Sequence, residues 1–175
     1  MNLTFKKNLL LVFLSLIIIQ LSAQNYCIPH RFVDNNYFRS RDIKVEKDIV
    51  YGQAENYKGK TEILDLDVLY PSATVDTMKK RPLIMMIHGG RAGSDNSKTE
   101  KYCPLFAQRG YVVANINRRK GSRNNSEIES LKEPYRVVQD AHAAMRYLIK
   151  NAGQYGIDKH VFLLIFVHRM IIKLT

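Results

Sequence analysis

The segment Leu83-Ile84-Met85-Met86-Ile87 constrains the fold more than any other part of the chain. Five consecutive apolar residues leave no polar face, so the element they form must be covered on both sides. At this length it reads as a strand, and a strand buried on both faces belongs inside a parallel sheet with helices on either side. His88-Gly89-Gly90 follows without a gap. Two glycines at the carboxyl end of a strand let the backbone turn sharply and leave N–H groups unobstructed. Donors so placed can hold an oxygen that develops negative charge during acyl transfer.

The flanking segments supply the rest of such a sheet. Ile43–Tyr51 alternates, with Ile43, Val45, Lys47 and Ile49 on one side, so it predicts a half-buried strand in which Lys47 is a blemish. Gly52–Lys60 provides turn residues, and Thr61–Tyr70 alternates again before Pro71, which predicts an antiparallel pair. Thr99–Arg109 reads as a short helix interrupted by Pro104 and ended by Gly110, and Tyr111–Ile116 as a second buried strand. Lys120–Glu133 reads as a polar loop. Pro134–Ala152 predicts a helix with Val137, Val138, Ala141, Ala144, Met145, Leu148 and Ile149 as its apolar stripe. Pro134 would open it and Gly153 would lie just past its end. Val161–Val167 predicts a further buried strand. Strands alternating with helices after an antiparallel opening define an α/β sheet.

The first 23 residues are set apart. Lys6 and Lys7 precede Leu9–Ile19, which is apolar except for Ser15, and Leu21-Ser22-Ala23 places a small residue at a cleavage point. That order is a secretory signal, and the apolar run is shorter than the ~20 residues a membrane-spanning helix needs. The expected product is secreted or periplasmic, begins near Gln24, and keeps no stable membrane anchor. Residues 24–42 lack a clean period and read as an extended arm.

The formal net charge is +11 over 175 residues. Its one concentration is Arg118, Arg119, Lys120 and Arg123, in a Gly/Asn/Ser-rich stretch that reads as a solvated loop. No zinc-finger spacing or ribonucleoprotein-type aromatic motif accompanies it, so no nucleic-acid partner is expected. The five His are dispersed, so neither a metal site nor a cofactor is expected. Cys27 and Cys103 could form a disulfide or stay separate thiols; spacing alone leaves both open.

Four ordered blocks carry a family resemblance: Leu64 to Pro71; Arg81 through His88-Gly89-Gly90; Phe106 to Asn117; and Gln139 to Leu148. Tyr155-Gly156-Ile157-Asp158 then leads into the last strand. Over about Ile43 to Leu163 the chain resembles the α/β-hydrolase superfamily, specifically secreted carboxylesterase and hormone-sensitive-lipase-like esterases. The resemblance implies a partial α/β-hydrolase domain over residues 43–163, the amino-terminal half of the fold with an incomplete sheet. It implies a small-molecule ester substrate in a complete relative. Gly89 and Gly90 would be oxyanion-loop residues and His88 a loop-shaping residue. Asp140 would either help fix the architecture or be a solvated helix acid.

The chain also departs from that pattern. Arg91-Ala92-Gly93-Ser94 replaces the usual Gly-aromatic stretch, and Arg118 stands where a Tyr before Arg is customary. The G-x-S-x-G nucleophile elbow falls at Ile165-Phe166-Val167-His168-Arg169, and no Ser in the chain is flanked by Gly at both required positions. Residues 164–175 read as an aberrant tail. Ser94, Cys103 and His168 offer no nucleophile–base pair held by a third group, as covalent catalysis requires. The expectation is therefore a catalytically incomplete serine hydrolase with no catalytic residue in this chain. The alternatives are a non-catalytic binding or decoy form that uses the basic loop, or a peptidase of the same fold.

Overall fold

The computed structural model describes residues 26–89, 95–121 and 126–167. The expected signal over residues 1–23, Gly90, Ser94, Arg123 and His168 lie outside the described residues. The strands are β1 (Ile43–Glu55), β2 (Thr61–Pro71), β3 (Arg81–His88), β4 (Val112–Ile116) and β5 (Ile157–Val167). The helices are α1 (Ser97–Glu100), α2 (Cys103–Ala107), α3 (Glu127–Lys150) and α4 (Ala152–Tyr155). The strands form one open sheet in the order β1-β2-β4-β3-β5. β1 and β2 are antiparallel, β2 joins β4 antiparallel, and β3 runs parallel to both β4 and β5.

The two-faced apolar strands are where the sequence puts them. Leu83, Met85 and Ile87 of β3 join Val112, Ala114 and Ile116 of β4 on one face, under Ala141, Ala144 and Leu148 of α3. Ile84, Met86 and Val113 point the other way, against Cys103 and Ala107 of α2. Each fully buried Leu, Ile or Met contributes about 1.5–3 kcal/mol, so β3 anchors both cores.

Several elements differ from expectation, each for a physical reason. β1 is broken by register shifts between Glu46 and Ile49 and between Val50 and Gly52, with Asp48 at φ 56°. Extra residues in one strand reset its alternation. Lys47 is therefore exposed, as is Val45 before the shift, and Ile43, Glu46, Ile49, Tyr51, Gly52 and Ala54 are the half-buried set. β1 runs on to Glu55, so Gly52 is a strand residue and the turn is Asn56–Lys60, closed by the Lys58 and Lys60 N–H groups on Asn56 Oδ1.

Pro104 lies in the first turn of α2, where its missing N–H costs nothing, so it opens a helix instead of interrupting one. α3 begins at Glu127, well inside the segment read as a loop. Ser126 Oγ accepts the Glu129 N–H at 3.3 Å, and Glu127 and Glu129 sit where the helix dipole favours acids. Pro134 is thus interior to α3, and Val138 is exposed. Gly153 lies inside α4; the left-handed cap is Gly156, at φ 66°.

Residues 26–42 form turns that end in a short 3-10 helix at Ser40–Asp42, not an extended arm. Arg31 is buried and needs a counter-charge, which Asp76 supplies through Nη1 and Nη2 at 2.8 and 2.7 Å. The rings of Phe32, Tyr37 and Phe38 surround the same guanidinium. β5, expected to be buried, is an edge strand. Phe162, Leu163 and Phe166 each keep more than half their surface exposed, because β3 pairs one side and no described strand pairs the other.

Candidate functional site

The carboxyl ends of β3, β4 and β5 meet at one end of the sheet. His88, the last residue of β3, is 2% exposed, with Nδ1 3.3 Å from the Gly89 carbonyl. Arg118 Nε donates to the His88 carbonyl at 3.4 Å. The residue standing in place of the customary Tyr therefore braces the end of β3. Its burial holds the guanidinium below its ordinary pKa, against the pull of Glu133 and Asp140 in the other direction.

Gly89 does not present an open donor. Its N–H extends the β3–β5 ladder by donating to the Val167 carbonyl at 2.8 Å. The expectation of an unobstructed group at Gly89 fails because β5 runs long enough to claim it. Gly90 lies outside the described residues.

The chain returns to the described structure at Asp95–Asn96, where residues near the end of β4 hold it. Asn96 N–H donates to Asn117 Oδ1 at 2.9 Å, and Asn115 Nδ2 donates to the Asn96 carbonyl at 3.0 Å. Asn96 Nδ2 reaches Asp67 at 3.2 Å, Thr99 Oγ1 donates to Asn115 Oδ1 at 2.5 Å, and Asn117 Nδ2 donates to Asp65 at 2.7 Å. Buried polar groups are costly unless partnered, and this network partners them. Burial raises the Asp67 carboxyl above its usual range, and the Asp48 amide and Lys47 pull it down less. These residues have no role in the sequence reading. Asn115, a polar intrusion in an otherwise apolar strand, and Asn117 just past its end were the available signal.

Arg119 and Asp140 form the second support. Arg119 Nε reaches Asp140 Oδ1 at 2.9 Å, its backbone N–H reaches Oδ2 at 2.9 Å, and both residues are buried. Arg119 also donates to the Glu55 carbonyl at 3.0 Å and to Gln139 at 2.8 Å. Of the two readings of Asp140, the architectural one holds. The basic cluster is accordingly not a solvated loop: Arg118 and Arg119 are interior, and only Lys120 is exposed among its described members.

A polar cleft of about 370 Å³ lies at this end of the sheet, lined by Glu62, Asp65, Asp95, Asn117, Arg118 and Lys120. Cys103 is buried at the far face, its Sγ donating to the Thr99 carbonyl, and burial pushes its thiol up to about 12. A thiol held protonated is no nucleophile. Cys27 is exposed and the two cysteines are not joined. No described helix is long and apolar enough to cross a membrane.

Comparison with known proteins places this geometry. The BD-FAE family model matches residues 66–166, from within β2 to the end of β5. Among curated proteins none matches the sequence. Of the solved structures, esterase 2 of the planctomycete Thermogutta terrifontis, in its propionate-bound form, is 25% identical with a TM-score of 0.52, over 74% of this chain and 42% of that one. The same esterase phosphonylated by cyclosarin is 26% identical with a TM-score of 0.52, over 70% and 41%. A bacterial heroin esterase, 18% identical with a TM-score of 0.51, matches over 89% of this chain and 40% of its own and shares the fold. The chain thus spans less than half the length of these structures.

Proposed function

We infer that this chain, which belongs to the BD-FAE family, supplies the oxyanion-loop half of an exported serine hydrolase acting on a small-molecule carboxylic ester. The observation that carries the reading is the pairing of His88 with Val167 across parallel β3 and β5. The end of the strand from which a nucleophile would project stands beside the loop that would stabilise its intermediate. In such a reaction a Ser oxygen attacks the ester carbonyl and the carbonyl oxygen takes up the charge. Two backbone N–H groups, one from the His-Gly-Gly loop and one from the residue after the Ser, then hold it.

This chain has Val167 and His168 where that elbow belongs, with neither Ser nor Gly. On this reading the chain alone hydrolyses nothing through an acyl-enzyme. The bound propionate of the Thermogutta esterase supports a small acyl group in a complete relative. The buried positions of Arg118 and Arg119 speak against a binding form that uses them on an acidic partner. A fluorophosphonate probe combined with a short-chain aryl ester assay tests the proposal. Labelling of one Ser, with turnover lost on its change to Ala, would refute it.

A further inference from the structure

His88 and Gly89 share one peptide group, and both ends of it are held. Its C=O accepts from Arg118 Nε at 3.4 Å, and its N–H donates to the Val167 carbonyl at 2.8 Å. We propose that Arg118 is a positioning residue of the oxyanion loop. Its Nε–H fixes this peptide plane and so keeps the Gly89 N–H turned toward β5, away from any substrate. On the reading of His88-Gly89-Gly90 as that loop, on which this rests, the loop's donor for an oxyanion comes from beyond Gly89.

Covalent geometry couples the two bonds. A trans peptide is planar, with its C=O and N–H pointing in opposite directions, and no described peptide bond is cis. Turning either end toward a ligand therefore turns the other away from its partner. On the β5 side the holding group is backbone. On the β4 side the backbone pairing with β3 stops at Ile87 and Ile116, one residue short of His88. Asn117 gives its N–H to the Asp65 carbonyl at 2.9 Å and its side-chain amide to the Asp65 carboxylate at 2.7 Å. Those bonds tie the chain after β4 to β2. The side chain of Arg118 reaches back to β3 and continues the pairing there.

The guanidinium is itself fastened. Arg118 is 8% exposed, and its Nη1 donates to the Arg119 carbonyl at 3.2 Å. The Glu133 and Asp140 carboxylates attract it. Glu133 lies so close over Gly121 that a Cβ there would collide with its carboxylate.

What the peptide needs is a donor at one place, and two substitutions separate that from charge. In Arg the Nε follows Cδ. The Gln amide nitrogen also follows Cδ, so Arg118→Gln keeps an uncharged donor at the same remove from the backbone. Lys has Cε there and its ammonium one bond further out, so Arg118→Lys keeps the charge and loses the donor.

Hydrogen exchange of the Gly89 amide, read by NMR on the isotope-labelled chain, tests the assignment, with the Ala114 amide as interior reference. Gly89 should exchange at the parent's rate in Arg118→Gln. In Arg118→Lys it should exchange about ten-fold faster, the change expected for one hydrogen bond, with Ala114 unaltered in both. Equal rates in all three chains, faster exchange in Arg118→Gln, or acceleration of Ala114 together with Gly89 would each overturn the proposal. Exchange needs no turnover. A Ser labelled by the fluorophosphonate would therefore sink the reading of an inert chain and leave the exchange result standing.

Discussion

Gly89 gives its backbone N–H to the carbonyl of Val167, 2.8 Å away. One donor of the loop that ought to face a substrate is thereby engaged by the strand that ought to carry the nucleophile. Serine hydrolases stripped of their triad keep about 10³–10⁴-fold catalysis through the oxyanion hole and binding. On the proposed reading even that remnant should be missing, because Gly89 is engaged and Val167-His168 stand where the elbow would supply the second donor. The purified chain should show no aryl-ester turnover above buffer and no fluorophosphonate adduct by intact mass.

The Arg119–Asp140 pair should be among the most sensitive positions for stability. Asp140→Ala leaves a buried guanidinium without its carboxylate, a change that costs about 3–5 kcal/mol. Glu100→Ala breaks the exposed Lys47–Glu100 pair at 2.6 Å and should change stability far less, since solvent screens such a pair. Urea titration of both variants would separate them, and equal effects would contradict the burial of Asp140.

Acid should act through Asp76. Burial raises its carboxyl, but hydrogen bonds from Arg31, Arg81 and the Met78 amide together outweigh that and hold it below the usual range. A folded-state value below the unfolded one, near 3.9, adds stability that is complete above that value. It is lost as pH falls through the folded value. Asp76→Asn should therefore lower stability at pH 7 and flatten the loss below pH 4, as read from urea midpoints between pH 2 and 7. Asp67, raised by burial, has the opposite sign, so the comparison must be variant against parent.

Thiol labelling should distinguish the cysteines. Iodoacetamide at pH 8 should add one group per native chain, at exposed Cys27, and a second at Cys103 only in denaturant. Two groups on the native chain would mean that α2 does not seal against the sheet.

Export should remove about the first 23 residues. Amino-terminal sequencing of protein secreted from a bacterial host should start near Gln24, and a membrane-bound product retaining Met1 would contradict this.

The legible and illegible parts of this chain divide by the range of the interactions. Leu83–Ile87 and Val112–Ile116 were readable because burial on both faces leaves an uninterrupted apolar run. The start of α3 was hidden because Glu127–Glu133 is polar on nearly every side, and Pro134 offered a competing first turn. The bulge in β1 was hidden because a shift of phase looks, in one dimension, like a misplaced Lys47. At the candidate site, His88 and Gly89 were legible as a motif. Arg118, Arg119, Asn115 and Asn117 were not, since their partners lie far away in sequence: Asn117 meets Asp65 across 52 positions. Charge counting cannot tell a buried Arg119 from a solvated one until Asp140 is known to sit beside it.

The hydroxyl of Tyr26 donates to Asp158, 132 positions further on. A chain made amino end first has its opening turns in place long before β5 arrives. Through that interval Tyr26 lacks its acceptor, and Arg31 waits for Asp76, 45 positions later. Contacts this distant are closed late, because the entropy of the intervening loop must first be overcome. The segment from Tyr26 to Arg31 is thus among the last to settle. It stays accessible to a protease until β5 has docked against β3.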